Sequence, residues 1–83
     1  MRKSTHTPAY DAFRARLVAM RETAGLNQRQ MAKKLDVPRS FVSRIELGER
    51  RVDILEFLWI CQALGASPEK TTLAVIRECK RLE

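Results

Sequence analysis

The chain has 83 residues, enough for one small folded domain but too few for a second domain with its own hydrophobic core. Hydrophobic residues make up 45% of the sequence and charged residues 31%, a balance that is typical of a folded soluble domain and excludes a disordered tail protein. Sixteen Lys and Arg against ten Asp and Glu give a net charge of +6, which favours a polyanionic partner, first nucleic acid and second an anionic membrane.

The sequence carries no membrane or export signal. No apolar run approaches the roughly 20 residues that a membrane-spanning helix needs, and the polar, basic start has no apolar segment behind it. We therefore expect a cytoplasmic protein without a membrane partner. Residues 1–7, with the only histidine, His6, are predicted to form a flexible basic arm, and residues 8–83 a single domain.

The first predicted helix spans residues 9–24. Four apolar residues recur there at spacings of four, three and four, which places them on one face of a helix: Phe13, Leu17, Met20 and Ala24. Pro8 suits the first turn, and Gly25 suits the left-handed residue that ends a helix.

A second, short helix is predicted for residues 28–35. Asn27 is a good N-cap, and the segment contains no helix breaker. Its apolar residues lie on one side: Met31, Ala32 and Leu35. Asp36-Val37-Pro38 then ends this helix, because the residue before a proline is pushed out of the helical region.

Three further helices complete the chain, and no strand signal is present. The third runs from residue 38 or 39 to 47, with Val42 and Ile45 facing inward and Gly48 as its stop. Asp53 caps the fourth, which ends at Leu64 before Gly65. Ser67-Pro68-Glu69 begins the fifth, which runs toward the C-terminus. The predicted fold is therefore all-α.

Helices two and three, joined by a tight turn inside a basic protein, fit the description of a helix-turn-helix. The chain resembles the phage-repressor (Xre/Cro) type of helix-turn-helix protein over residues 13–67. The resemblance implies a five-helix repressor-like DNA-binding domain from a bacterium or phage. Within that family, residues 48–51 look somewhat like the corresponding segment of the controller proteins of restriction-modification systems. The family resemblance rests on these residues: Gly25-Leu26-Asn27-Gln28, Met31-Ala32, Leu35, Val37, Val42-Ser43, Ile45-Glu46, Gly48 and Ala63-Leu64-Gly65.

Two residues depart from that family pattern. Asp36 occupies the turn position that glycine usually holds, although Asp tolerates a left-handed conformation better than most residues. Pro38 replaces the Ser or Thr that usually caps the third helix, so that helix is expected to lack a side-chain cap.

The third helix is predicted to be the recognition helix. If Val42 and Ile45 anchor it on the core, its opposite side faces solvent and can reach base edges. Arginine there can bond guanine in a bidentate way. The predicted base-contacting residues are Arg39, Ser40, Ser43 and Arg44, of which the resemblance also implies Arg39, Ser40 and Arg44.

Positive charge clusters around this pair of helices. Residues 27–51 hold seven basic residues against three acids, which is the footprint expected for phosphate contacts. The resemblance places Asn27 and Gln28 at the phosphate-contacting start of helix two, where backbone N–H groups also favour an anion. The predicted phosphate-contacting residues are Asn27, Gln28, Arg29, Lys33, Lys34, Arg50 and Arg51. An acid at Glu46 would repel phosphate, and the resemblance implies that it forms a structural ion pair with Arg21.

The fourth helix is apolar on more than one side. A predicted core stripe of Ile54, Phe57, Leu58, Cys61 and Leu64 is joined by a second patch at Leu55 and Trp59. Either helix five folds back over that patch or a second copy of the chain covers it. We expect a homodimer in which helices four and five (residues 53–83) contribute the interface, with Leu55, Trp59, Val75 and Cys79 as its residues.

The sequence contains no residue pattern that predicts a disulfide, metal or catalytic site. Cys61 and Cys79 have no second Cys or His cluster nearby, so neither a disulfide framework nor a metal site is expected, and they read as small hydrophobes. No nucleophile with a nearby base can be assembled, which excludes an enzyme. We expect no cofactor and see no small-molecule site.

The predicted function is that of a transcriptional regulator, of the repressor kind, which binds double-stranded DNA at a palindromic operator as a homodimer. The alternative is a protein-binding adaptor or antitoxin-like module that uses the apolar surface of helices four and five.

Overall fold

The computed structural model describes residues 7–83, and in that range it contains five α-helices and no strand. The helices are α1 (Pro8–Thr23), α2 (Gln28–Leu35), α3 (Arg39–Glu46), α4 (Ile54–Leu64) and α5 (Pro68–Leu82). The all-α prediction is confirmed, with bounds that differ by at most one residue at each helix end. Residues 1–6, which hold most of the predicted arm and His6, lie outside the described residues.

Side-chain caps explain where four of the helices begin. The Thr7 hydroxyl accepts a hydrogen bond from the Tyr10 N–H, so Thr7 belongs to α1 rather than to the arm. Asn27 and Asp53 each accept from the backbone N–H three residues ahead, and the side chain at that position accepts from the cap in return. Ser67 caps α5 in the same way as Thr7 caps α1. Each cap satisfies donors that the first helical turn leaves unpaired.

The turn between α2 and α3 depends on Asp36. This residue is left-handed, with φ 58° and ψ 48°, which is the conformation that glycine would adopt at this position. The Asp36 and Val37 N–H groups donate to the carbonyls of Lys33 and Ala32 and so close the end of α2. Pro38 then occupies the N-cap of α3, where its ring offers no side-chain acceptor.

One core cluster holds the first four helices together. It contains Leu17, Met31, Ala32, Val42, Ile45, Phe57, Ile60 and Cys61. Ala32 is buried between larger side chains, as expected where two helices pack closely. Because α3 contributes Val42 and Ile45 to this cluster, its orientation about its own axis is determined by the core.

Helix α5 lies against α1 and α4 without contributing a fully buried residue to the described part of the chain. Val75 and Cys79 are half-buried against α1, and the Arg16 guanidinium pairs with Glu78 at 2.9 Å. None of the helices described is long and apolar enough to cross a membrane.

One expectation about the apolar residues of α4 is wrong, and one of the two alternatives left open for its second patch is excluded. The sequence predicts that Ile54 faces the core, but this residue is 72% exposed, because it is the first residue of α4 and the core packs against the following turns. Helix α5 does not cover the second patch, since Leu55 and Trp59 remain 56% and 53% exposed. This α4 patch, Leu55 and Trp59, is therefore open to a partner.

Candidate nucleic-acid interface

Helix α3 presents two different faces. Val42 and Ile45 are buried, whereas Arg39, Ser40 and Arg44 are exposed and Ser43 is half-buried at the border. Within residues 7–83, the side chains of Arg39, Ser40 and Arg44 make no hydrogen bond or ion pair. Three polar side chains thus project from one short helix with their donors available to an external acceptor.

The start of α2 lies beside the start of α3. A shallow hollow there is lined by Arg21, Asn27, Gln28, Arg29 and Arg39, so residues from the predicted phosphate set and the predicted base set meet at one surface. Arg29 and Arg39 are exposed at this hollow. The N-terminal end of a helix also carries partial positive charge, which adds to the attraction for an anion.

Glu46 joins three elements through two residues of this hollow, Arg21 and Gln28. Its carboxylate accepts from Arg21 Nε at 2.7 Å, from Arg21 Nη2 at 3.1 Å and from Gln28 Nε2 at 2.9 Å. The hydrogen bond to Glu46 raises the pKa of Arg21, against the opposing effect of burial. Arg21 Nη1 also donates to the Leu26 carbonyl, and Arg14 donates to the Glu46 carbonyl at 2.7 Å.

This Glu46 network ties the end of α3 to α1 and to the start of α2. The sequence predicts only a phosphate contact for Gln28 and does not reveal that one Gln28 amide proton is donated to Glu46. Nor does the sequence reveal that Arg14 donates to the Glu46 carbonyl. Arg14 lies seven residues, or two helical turns, before Arg21 on the same face of α1. The network positions the recognition helix, and two of its members, Arg21 and Gln28, also line the hollow.

Two basic residues of the predicted phosphate set lie elsewhere or are already paired. Lys34 lines a groove that also contains Trp59 of α4, whereas Lys33 is exposed and does not line that groove. Arg50 donates from both terminal nitrogens to the Glu56 carboxylate, at 2.9 and 2.7 Å, and lies over the Phe41 ring with 4.4 Å between Cζ and the ring centroid.

The Arg50–Glu56 pair is a structural contact between the α3–α4 loop and α4. The hydrogen bond from Arg50 lowers the pKa of Glu56, and the same bond raises the pKa of Arg50. Arg51, one residue further, lies over the Tyr10 ring with Cζ 5.3 Å from its centroid. The role predicted for Arg50 in binding phosphate therefore competes with an intact internal ion pair.

The four predicted interface residues do not share a surface. Val75 and Cys79 line a groove with Tyr10 and Phe13 of α1, whereas the α4 patch faces solvent. Val75 and Cys79 are half-buried beside α1, and their place in a dimer interface stays a prediction. The exposed large apolar residues of α5 are Leu73, Ile76 and Leu82, of which Leu73 and Ile76 are the more exposed and lie three positions apart.

The position of Cys61 disfavours reactivity of its thiol. Cys61 is fully buried, and this burial raises the pKa of its thiol, which disfavours the nucleophilic thiolate. Across residues 7–83, no group of His, Cys, Asp and Glu side chains is arranged to hold a metal ion.

Comparisons with known proteins extend over most of the chain. The family model for the helix-turn-helix domain matches residues 12–74, from α1 into α5. Among solved structures, the chain is similar to an XRE-family like protein from Pseudomonas syringae pv. tomato str. DC3000, with a TM-score of 0.79 and 35% sequence identity. The similarity covers 83% of this chain and 84% of that one. No curated protein matches the chain.

Proposed function

The chain belongs to the Xre-type helix-turn-helix family and is a DNA-binding regulator, and from this premise we propose that it is a sequence-specific transcriptional repressor that binds a palindromic operator as a homodimer. The observation that carries the proposal is the outward face of α3, where Arg39, Ser40 and Arg44 are exposed and make no bond within residues 7–83. Family membership also indicates that the chain is not an enzyme. Its place of action in this proposal is the cytoplasm of a bacterial cell.

Helix α3 enters the major groove in this proposal. Arg39 and Arg44 read base edges, and a bidentate Arg–guanine contact discriminates against the wrong base by about 1 to 3 kcal/mol. Ser40 is short and accepts or donates to a base or a phosphate. Ser43, half-buried at the border of the face, contacts DNA only if the helix lies close to the groove floor.

The phosphate contacts come from the start of α2 and from the α3–α4 loop. Asn27, Gln28 and Arg29 line the hollow beside Arg39, which supports a phosphate next to the major-groove contacts. Lys33 and Arg51 are exposed and extend the positive surface. Lys34 and Arg50 are left out of the proposed set, because one lines the groove with Trp59 and the other is paired with Glu56.

The dimer in this proposal forms through the α4 patch. Leu55 and Trp59 are more than half exposed and lie four residues apart on α4, and burying them against a second copy removes that apolar surface from water. A two-fold axis places the two α3 helices about 34 Å apart, in successive major grooves on one face of the duplex. Palindromic symmetry of the operator follows from the symmetry of the dimer.

Site selection from a random DNA pool tests the proposal. We expect a recovered palindrome, and a dissociation constant for the selected duplex at least about a thousandfold below that for a scrambled one at the same salt concentration. Binding of both duplexes should weaken steeply as salt rises, because each phosphate contact releases counterions. Equal affinity for both duplexes would refute sequence-specific recognition.

The exposed α4 patch also favours a second candidate, a protein-binding adaptor or antitoxin-like module. In that case a different chain covers Leu55 and Trp59. The two candidates differ in what the purified protein does alone, since an adaptor would remain monomeric and give neither a selected site nor a specificity ratio.

A further inference from the structure

A second groove lies between the helix-turn-helix pair and α4. Its volume is about 640 Å³, within the range of roughly 300 to 1,000 Å³ that small-molecule sites occupy, and it is open to solvent. Its walls are mostly apolar, with Lys34, Glu56 and Gln62 as the polar side chains, and Lys34 is the only cation among the described residues that line it. The residues that matter are Lys34, Leu35, Val37, Phe41, Trp59 and Ala63.

The groove is lined by one cation, Lys34, and one acid, Glu56. Its acid, Glu56, is neutralised by the two hydrogen bonds from Arg50 and also accepts from the Asp53 N–H at 3.0 Å. Lys34 is exposed and has no hydrogen-bond or ion-pair partner among residues 7–83. An apolar wall beside one unpaired ammonium group complements a molecule that is apolar over most of its surface and carries one negative charge.

We propose that this groove binds a small amphipathic carboxylate, with its apolar part between Phe41 and Trp59 and its carboxylate at Lys34. Phosphates of DNA do not suit the site, because an ionised phosphate gains nothing from the apolar walls and loses hydration beside them. A second copy of the chain covers the outward side of Trp59 in the proposed dimer, whereas the apolar part of the ligand lies on the side of Trp59 that faces Phe41.

The groove is well placed to affect DNA binding. Val37 belongs to the turn, and Phe41 lies in the first turn of α3, which begins at Pro38 without a side-chain cap. A ligand between Phe41 and Trp59 therefore contacts the recognition helix from its inner side. Binding of the carboxylate itself does not depend on the proposed function, and only its effect on the operator does. Any such effect is reciprocal, since DNA must change ligand affinity by the same factor.

Trp59 is the only tryptophan, so its fluorescence reports the groove directly. The probes are decanoate and decanol, which share an apolar chain and differ in charge. We expect decanoate to change Trp59 emission with saturation. Lys34→Gln should weaken decanoate binding about fivefold, the upper range for an exposed ion pair, and leave decanol within twofold. The matched control is Lys33→Gln, one residue away and outside the groove, which should leave both titrations unchanged.

Two further variants test whether the fluorescence change arises from a ligand inside this groove. Ala63→Phe should fill the groove and abolish the response to both probes while circular dichroism stays helical. Leu55→Glu, which is designed to block the dimer, should leave decanoate binding intact. The proposal is overturned if decanoate causes no saturable change, if Lys33→Gln weakens decanoate as much as Lys34→Gln, or if Leu55→Glu abolishes the response, since the site would then belong to a second copy.

Discussion

The Glu46 network is the contact whose loss should damage the domain most. Arg21 and Glu46 share two hydrogen bonds of 2.7 and 3.1 Å, and their side chains are only 13% and 8% exposed. Glu46→Ala leaves the Arg21 guanidinium shielded from water without its carboxylate and deprives Gln28 of its acceptor. Breaking a buried pair in this way costs about 3 to 5 kcal/mol, and we expect about 3 kcal/mol because the pair retains some solvent contact.

That loss is large for a chain of this size. At roughly 0.05 to 0.15 kcal/mol per residue, such a domain has a free energy of unfolding of about 4 to 12 kcal/mol. Urea unfolding followed by circular dichroism measures the change directly through the midpoint. The matched control is Glu78→Ala, which breaks the Arg16–Glu78 pair whose side chains are 34% and 30% exposed, and which should cost less than about 1 kcal/mol.

A double-mutant cycle tests the cause. Arg21→Met combined with Glu46→Ala removes both charges, so the double variant should lose less stability than the sum of the two single variants, with a coupling of about 2 kcal/mol. Additive losses, or a Glu46→Ala loss no greater than that of Glu78→Ala, would show that the ion pair does not stabilise the contact between α1 and α3.

Three other predictions concern the interface, the dimer and pH. Arg44→Ala should reduce the discrimination between bases at one position of each half-site by about 1 to 3 kcal/mol. Arg29→Ala should instead weaken binding to all duplexes equally and lower by about one the slope of the logarithm of the binding constant against the logarithm of the salt concentration. The reverse pattern in binding assays would reject the assignment of α3 as the recognition helix. Trp59→Glu should keep its helical signal but sediment as a monomer, and a wild-type mass of one chain at all concentrations would rule out the dimer. Glu56→Gln should make the free energy of unfolding depend less on pH in acid. Because the pKa of Glu56 is lowered, its pairing with Arg50 stabilises the fold fully above the ordinary glutamate pKa of 4.5 and less as the pH falls below that value. If urea unfolding shows the same pH dependence for the variant and the wild type between pH 5 and about pH 3, this expectation is contradicted.

The helices and the recognition face could be predicted because the signals for them are local. Asn27 and Asp53 cap through backbone groups three residues away, and Asp36 takes the left-handed conformation within its own turn. Val42 and Ile45 are three positions apart, so a helix through them must bury both on one side. The outward direction of Arg39 and Arg44 follows from that periodicity alone.

The roles of individual charges could not be predicted in the same way. A basic stretch of sequence predicts phosphate contacts for Lys34 and Arg50 alike. Lys34 instead borders a groove whose far wall is Trp59, and Arg50 reaches Glu56 across the loop. Local spacing tells which side of its own helix a residue occupies but not which other element faces that side.

Sequence alone determined five helices, their caps and the side of α3 that faces outward, because each of these depends on residues within a few positions of one another. Tertiary structure alone decided that Val75 and Cys79 lie half-buried beside α1, that the α4 patch stays uncovered, and that a mostly apolar groove opens beside Phe41. The physical reason is that these features depend on the angles at which helices distant in sequence pack, and those angles are set by the whole core at once.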